Sequence, residues 1–337
     1  MLVSAASALP LASTVSDSLV KMVSVIEAVG GFVAIVLVIF FFAGRATGRF
    51  QRPLTIAVCL GPAVILVLIG LVIPALRTMY LSLLNSGSTK TVGFKNYWWV
   101  FHDPNNRSTL IRTFEWLIIA PAFATGFGLL VAILVDRMKH QSVPKSLIFL
   151  PTAISFVGAS IIWKFVFTAR DPRQSQIGIL SAVAIKLGWR SPPNWLLSIP
   201  LNTFLLMVIM IWIQAGFAMV VLSAALKGIP DEIVEAARMD GATGFKLFWT
   251  VQIPMIRRTL VVVVTTIMIA TLKVFDIVRT VTGGNFNTQV LSNKMYSETF
   301  VAFETGRGSA LAVVLFLAVA PLVAYNVMQM RKERATR

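Results

Sequence analysis

Side chains suited to covalent or metal chemistry are few and scattered in this chain. His102 and His140 are far apart, with no cysteine or carboxylate cluster around either, so no metal site is expected. Cys59, the one cysteine, falls in an apolar run and can form no intrachain disulfide. No nucleophile, base or metal constellation points to catalysis, and no G-x-x-x-x-G-K-[ST] phosphate loop occurs. What remains is recognition chemistry. Glu235-Ala236-Ala237-Arg238-Met239-Asp240-Gly241-Ala242, followed by Ile253-Pro254, is a polar helical segment held between two long apolar runs. Within the apolar runs stand a few hydrogen-bonding groups, Ser155, Asn202, Gln214 and Thr271, with Trp163, Trp212 and Phe217 as flat aromatic faces. Polar groups at mid-membrane are costly unless they face a cavity.

The elements that position these residues follow from composition. Of 337 residues, 57% are hydrophobic and only 13% charged, with a mean hydropathy of +0.81, far from the roughly 25% charge of a soluble domain. The chain is therefore expected to be an all-α polytopic membrane protein. Runs of a length able to cross the hydrocarbon lie near 23 to 43, 54 to 76, 115 to 135, 147 to 167, 203 to 226, 259 to 275 and 309 to 330. These predict about seven helices. The first differs from a secretory leader in starting after some 20 weakly polar residues, in carrying Glu27 and in lacking a basic leading segment, so it is expected to be retained.

Charge assigns the sides. The loops 44 to 53, 136 to 146, 227 to 258 and 331 to 337 hold 15 Lys and Arg in 60 residues, against 13 in 124 for 1 to 22, 77 to 114, 168 to 198 and 276 to 308. The positive-inside rule places the first set in the cytoplasm, leaving the N-terminus outside and the C-terminus within. The net charge of +16 is spread among these loops rather than gathered on one face, which argues against a nucleic-acid partner. Tyr97, Trp98, Trp99, Trp189 and Trp195 fall in outside loops and suit the membrane interface.

In the cytoplasmic loop 228 to 258, Pro230, Asp231 and Glu232 fit a first helical turn and Gly241 a stop, which predicts a helix of about ten residues. Ala236 and Ala237 offer it a flat face. Beyond the Gly241 to Gly244 turn, Phe245, Leu247, Phe248 and Val251 form a second short apolar stretch ended by Pro254. Such a helix could lie along the headgroups or dock in a groove of a cytoplasmic partner.

These residues resemble the EAA loop of binding-protein-dependent ABC importer permeases: EAA, then a Gly after three intervening residues, and about a dozen residues to Ile-Pro, matched by Glu235, Ala236, Ala237, Asp240, Gly241, Ala242, Ile253 and Pro254. The resemblance spans about residues 54 to 330 and is nearest to permeases for maltose-like and other α-glucosides. Val92-Gly93-Phe94-Lys95-Asn96-Tyr97 resembles an external segment of that group, and Leu150-Pro151 opens a helix as it does there. Val274-Phe275-Asp276-Ile277-Val278, Thr282-Gly283-Gly284, Thr288-Gln289-Val290-Leu291 and Met295-Tyr296 to Phe300 resemble others.

This resemblance implies a type I permease core of six helices over 51-337, with one added helix in 1-50. It implies a loop seated in a separate ATPase, with Glu235 and Asp240 as charged contacts and Phe245 beside them. The sugar-contacting positions of the maltose-type relative fall at Met210, Gln214, Phe217, Thr271 and Val274, to which Ser155 and Trp163 are added as pathway candidates. It further implies two cytoplasmic ATPase subunits that bind ATP and Mg, a second homologous permease, an external sugar-binding protein and a prokaryotic plasma membrane. This chain itself would hold no cofactor. Two other functions are weighed: an ion-gradient-driven secondary transporter, which calls for inverted repeats and a mid-membrane carboxylate that the sequence lacks, and an ABC permease for a non-sugar solute, which calls for a cavity rich in Arg or His.

Overall fold

The computed structural model describes residues 51–136, 138–171 and 173–335, with 22–24, 26–27, 29–34, 36–37 and 41 ahead of them. The expected span near 23 to 43 therefore lies largely outside the described residues. Chain contacts divide into two compact units, 1–77 and 78–337.

The described elements are α1 (Leu60–Leu81), α2 (Lys95–His102), α3 (Pro104–Asp136), α4 (Ser142–Phe149), α5 (Phe156–Val166), α6 (Ile179–Lys186), α7 (Leu201–Lys227), α8 (Asp231–Met239), α9 (Gly244–Leu272), α10 (Asp276–Val281), α11 (Leu291–Tyr296) and α12 (Thr305–Ala335). Five of them, α1, α3, α7, α9 and α12, are long and apolar enough to cross a membrane, and the bent pair α4 and α5 would make six. Among the described residues there is no named strand, only an isolated bridge between Leu84 and Thr91.

The core of 78–337 is built on α3 and α7. On α3 the buried positions Ala120, Ala124, Gly128 and Ala132 recur every four residues and form one small-residue seam. They let α7 approach backbone to backbone: a Cβ on Gly128 would lie 2.6 Å from the Cβ of Ala218 and 2.8 Å from the carbonyl O of Ala215. In lipid, where neighbouring tails are as apolar as the helices, such close packing is what holds helices together. The same direction of both helices follows from their ends. Ser223 near the end of α7 donates to Asp136 at the end of α3 at 2.9 Å, while Ser108 near the start of α3 and Asn202 at the start of α7 both bond the loop residues Asn287 and Phe286. The bundle thus has an α8 end and an α2 end.

Three expected boundaries differ. The apolar run 147 to 167 is not one helix: α4 closes in a tight turn at Leu150–Ala153, and α5 leaves at 104°. Pro151 withholds an N–H and Ile154 is extended at ψ 136, so the helix cannot continue. Ser155, not Leu150-Pro151, opens the next helix, its Oγ accepting from the Gly158 N–H at 3.1 Å. The run 259 to 275 belongs to a longer helix, since α9 runs unbroken from Gly244 to Leu272. Pro254 does not end the short apolar stretch. A wide turn at Phe248–Gln252 precedes it, which removes the clash a proline ring makes with the carbonyl four residues back. Lys273 and Asp276, three residues apart, make no ion pair among the described residues, because the chain leaves α9 between them and α10 begins at Asp276.

Candidate functional site

The motif at the α8 end is explained by how a helix stops. The Gly241 N–H bonds the Arg238 carbonyl at 3.0 Å and the Ala242 N–H bonds the Ala237 carbonyl at 2.9 Å, the paired closing bonds of a Schellman turn. That turn needs a left-handed residue, and Gly241 has φ +79. Ala242, the residue after it, is buried, which suits the apolar position that follows the left-handed residue in such a turn. Asp231 and Glu232 in the first turn and Arg238 in the last suit the helix dipole. The spacing from EAA to Gly is thus one short helix with its cap. Because a Cβ on Gly241 meets nothing within 4 Å, Gly241→Ala strains the backbone alone. It is expected to cost roughly 1 kcal/mol, with Gly241→Asn milder, as a drop in the melting temperature of the purified protein.

Beneath α8, Ile229, Val234, Ile253 and Ile256 join the buried cluster of Ala124, Ala218, Leu222, Val263 and Ile267. The loop is therefore seated on the helices that form the core. Its far side is open: Glu235, Ala236 and Asp240 are exposed, and so are Met239 at 88%, Phe245 at 78% and Trp249 at 53%. Phe245 and Trp249 meet edge to face at 5.9 Å. Leu247 is buried and Phe248 and Val251 are half-buried, turned the other way. Large rings left open between carboxylates are the composition of a docking surface. Met239 and Trp249 were not singled out from sequence, although the 245/249 spacing of α9 carried the signal.

Next to the loop, Asp136 gathers the ends of three helices. Lys145 of α4 donates to it at 2.5 Å and to Ser223 at 2.7 Å, and Lys227, the last residue of α7, lies 3.6 Å from the carboxylate and donates to Gln141 at 2.6 Å. Asp136→Ala strands Lys145, which is only 21% exposed. A loss of roughly 1–3 kcal/mol is expected, read as a lower melting temperature.

The pathway candidates separate. Met210 is fully buried and Val274 is 7% exposed, both in the core cluster near the α2 end. Thr271 is 1% exposed, and its hydroxyl donates to the Ile267 carbonyl at 2.8 Å. Asn202 binds Phe286 and Leu196 carbonyls and the Thr203 N–H, so it fastens chain segments together. Ser155 is exposed and caps α5. Gln214 and Phe217 share a half-buried face of α7, one helical turn apart, and the Gln214 side chain makes no hydrogen bond among the described residues. Trp163 of α5 meets Trp212 edge to face at 5.7 Å. Among the described residues no group of three or more His, Cys, Asp or Glu could hold a metal.

At the α2 end the Gly283-Gly284 pair is tightly packed. A Cβ on Gly284 would lie 2.2 Å from Gln289 Oε1, and Thr282 and Thr288 share a 2.6 Å hydroxyl bond beneath the turn. Ile277 and Val278 of the preceding motif are fully buried. Trp195 is buried within the chain, its Nε1 donating to Ser181 at 2.9 Å. Tyr97 bonds Ser82 at 2.6 Å.

Residues 109–336 match the family of binding-protein-dependent transport system inner membrane components. The chain is 44% identical over 276 residues to the osmoprotective compounds uptake permease protein GgtC of Synechocystis sp., covering 82% of this chain and 99% of that one. It is 45% identical over 280 residues to the alpha-glucoside transport system permease protein AglF of Rhizobium meliloti, covering 81% and 82%. In fold it resembles a chain of a bacterial ABC transporter that imports the acidic polysaccharide alginate, with TM-score 0.71 and 19% identity over 84% of this chain and 97% of that one.

Proposed function

Because the chain belongs to the family of binding-protein-dependent transport system inner membrane components, we propose that it is a permease subunit of an ATP-driven importer for an α-glucoside or another oligosaccharide. The observation that carries the proposal is the α8 loop, seated on the core by Ile229, Val234, Ile253 and Ile256 and open on its outer side. A surface so held transmits a push from an ATPase to the helices beneath it. Sugar as cargo rests on the 45% identity to the alpha-glucoside permease and on the unpartnered amide of Gln214 beside Phe217.

In this mechanism ATP-driven closure of two partner ATPases draws the α8 loops of this chain and a companion permease together and opens the pathway outward. A loaded binding protein on the α2 end then delivers sugar, and hydrolysis resets the bundle. ATP and Mg are held by the partners. The charge bias of the loops puts α8 and the C-terminus in the cytoplasm of a prokaryotic cell and the N-terminus outside. Asp240 and Phe245 stand with Glu235 in the ATPase contact. Ser155, Trp163, Thr271, Met210 and Val274 line or support the pathway around Gln214 and Phe217.

The assembled complex, in lipid with its binding protein, is expected to hydrolyse ATP faster when an α-glucoside is added. Gln214→Ala should raise the sugar concentration for half-maximal stimulation about tenfold, the worth of roughly one hydrogen bond. Sugar flux driven by an ion gradient without ATP would overturn the proposal.

A further inference from the structure

Helix α2 is fastened on one face and bare on the other. On its inner face Asn96 donates to the Ser82 and Leu84 carbonyls, each at 2.8 Å, and Val100 is fully buried with Leu291, Ala310 and Leu311. Arg307 lies over the Trp99 ring at 4.8 Å. The first turn of α12 comes so near that a Cβ on Gly306 would lie 2.1 Å from the Leu84 carbonyl O and 2.9 Å from Asn96 Nδ2. Pro104, two residues beyond α2, starts α3. Val100 packs against Ala310 and Leu311, where the apolar run of α12 begins, and this sets the depth of α2 near the boundary between hydrocarbon and headgroups.

The outer face carries Phe94, Trp98 and Phe101, exposed by 77%, 67% and 52%, at spacings of four and three that align them in one stripe. Lys95 and His102 flank them, with the Trp98 and His102 rings stacked at 3.5 Å. A shallow groove of about 490 Å³ runs along this stripe. The next large apolar residues exposed along the chain, Ile111, Phe114 and Ile118, are on α3, so exposed apolar side chains resume on the membrane-length helix that follows α2. Aromatic bodies with a polar edge, beside a cation able to snorkel, are what an interfacial helix presents to lipid.

We propose that this outer face of α2 is a lipid-binding surface, lying in the headgroup layer and packing Phe94, Trp98 and Phe101 against the first acyl carbons. Naming that layer the outer leaflet rests on the orientation proposed above; the lipid contact itself does not. It holds the α2 end of the bundle at a fixed height while the α8 end is worked by its partners.

The test uses the full complex in nanodiscs, with Cys59→Ser and a single bimane-labelled cysteine at Trp98→Cys or Phe101→Cys, and at Lys90→Cys as a control in the exposed turn. Lipids brominated near the headgroup are expected to quench the label at 98 and 101, with loss of quenching by aqueous iodide, and the reverse is expected at 90. Iodide quenching at 98 and 101 equal to that at 90 would overturn the proposal, as would protection from both quenchers. Loss of bromolipid quenching when loaded binding protein is added would instead assign the stripe to that protein and likewise overturn it. Sugar-stimulated ATP hydrolysis measured on the same samples reports on the importer separately.

Discussion

Glu235→Lys is expected to leave the bundle folded and its ATPase undriven. The side chain is exposed on α8 and makes no ion pair among the described residues, so reversing its charge costs the isolated chain little. Against a fitted partner groove, a like-charge contact costs several kcal/mol, enough for a hundredfold or greater loss of docking. The expected result is a melting temperature within a degree or two of wild type, with sugar-stimulated ATP hydrolysis and co-purification of the ATPase both lost. Retained stimulation would remove α8 from the coupling path. Met239 and Phe245, bare on the same loop, should show the same pattern on truncation to Ala.

The second large effect lies in the membrane. Gly128→Val sets a branched side chain where even a single Cβ would lie 2.6 Å from Ala218 and 2.8 Å from the Ala215 and Met219 backbone. Helices α3 and α7 must then separate along their whole seam, at an expected cost above 3 kcal/mol. The measurement is monodisperse yield and melting temperature in detergent, with Gly126→Ala as the control. A Cβ at Gly126 on the same helix meets nothing within 4 Å, so that change should be neutral or slightly stabilising through helix propensity.

Much of this was legible from residue order. Apolar run length gave the positions of α3, α7 and α12, because a helix in lipid must satisfy its own backbone and so reveals itself by length alone. The loop from Glu235 to Pro254 was legible as helix and stop because Gly241 has a conformational role that few residues can fill. What stayed hidden depends on neighbours. The break at Ile154 lies inside an unbroken apolar run, and only the combination of Pro151 with the Ser155 cap shows it. Pro254 suggested an end because sequence shows a missing N–H but not the wide turn that accommodates it. Met210 and Thr271 lie on the expected helices, yet their side chains are enclosed by this chain, and the number of residues along a helix does not say which way its faces turn once neighbours pack. Of the seven expected helices the described residues carry five or six, and the run near 23 to 43 lies largely outside them.

The continuity of α9 has a consequence for which changes in length this protein can tolerate. From Gly244, beside the exposed Phe245, to Leu272, beside Val274 in the core, there is no loop to absorb an added residue. Inserting one residue would turn everything beyond it by about 100° and advance it by about 1.5 Å. The loop at one end and the buried face at the other could not both keep their orientation. Insertions and deletions should therefore be tolerated in the turn at 86 to 90 and refused throughout 244 to 272, as if the segment were a key cut to one length: its phase, more than its composition, is what the rest of the bundle depends on.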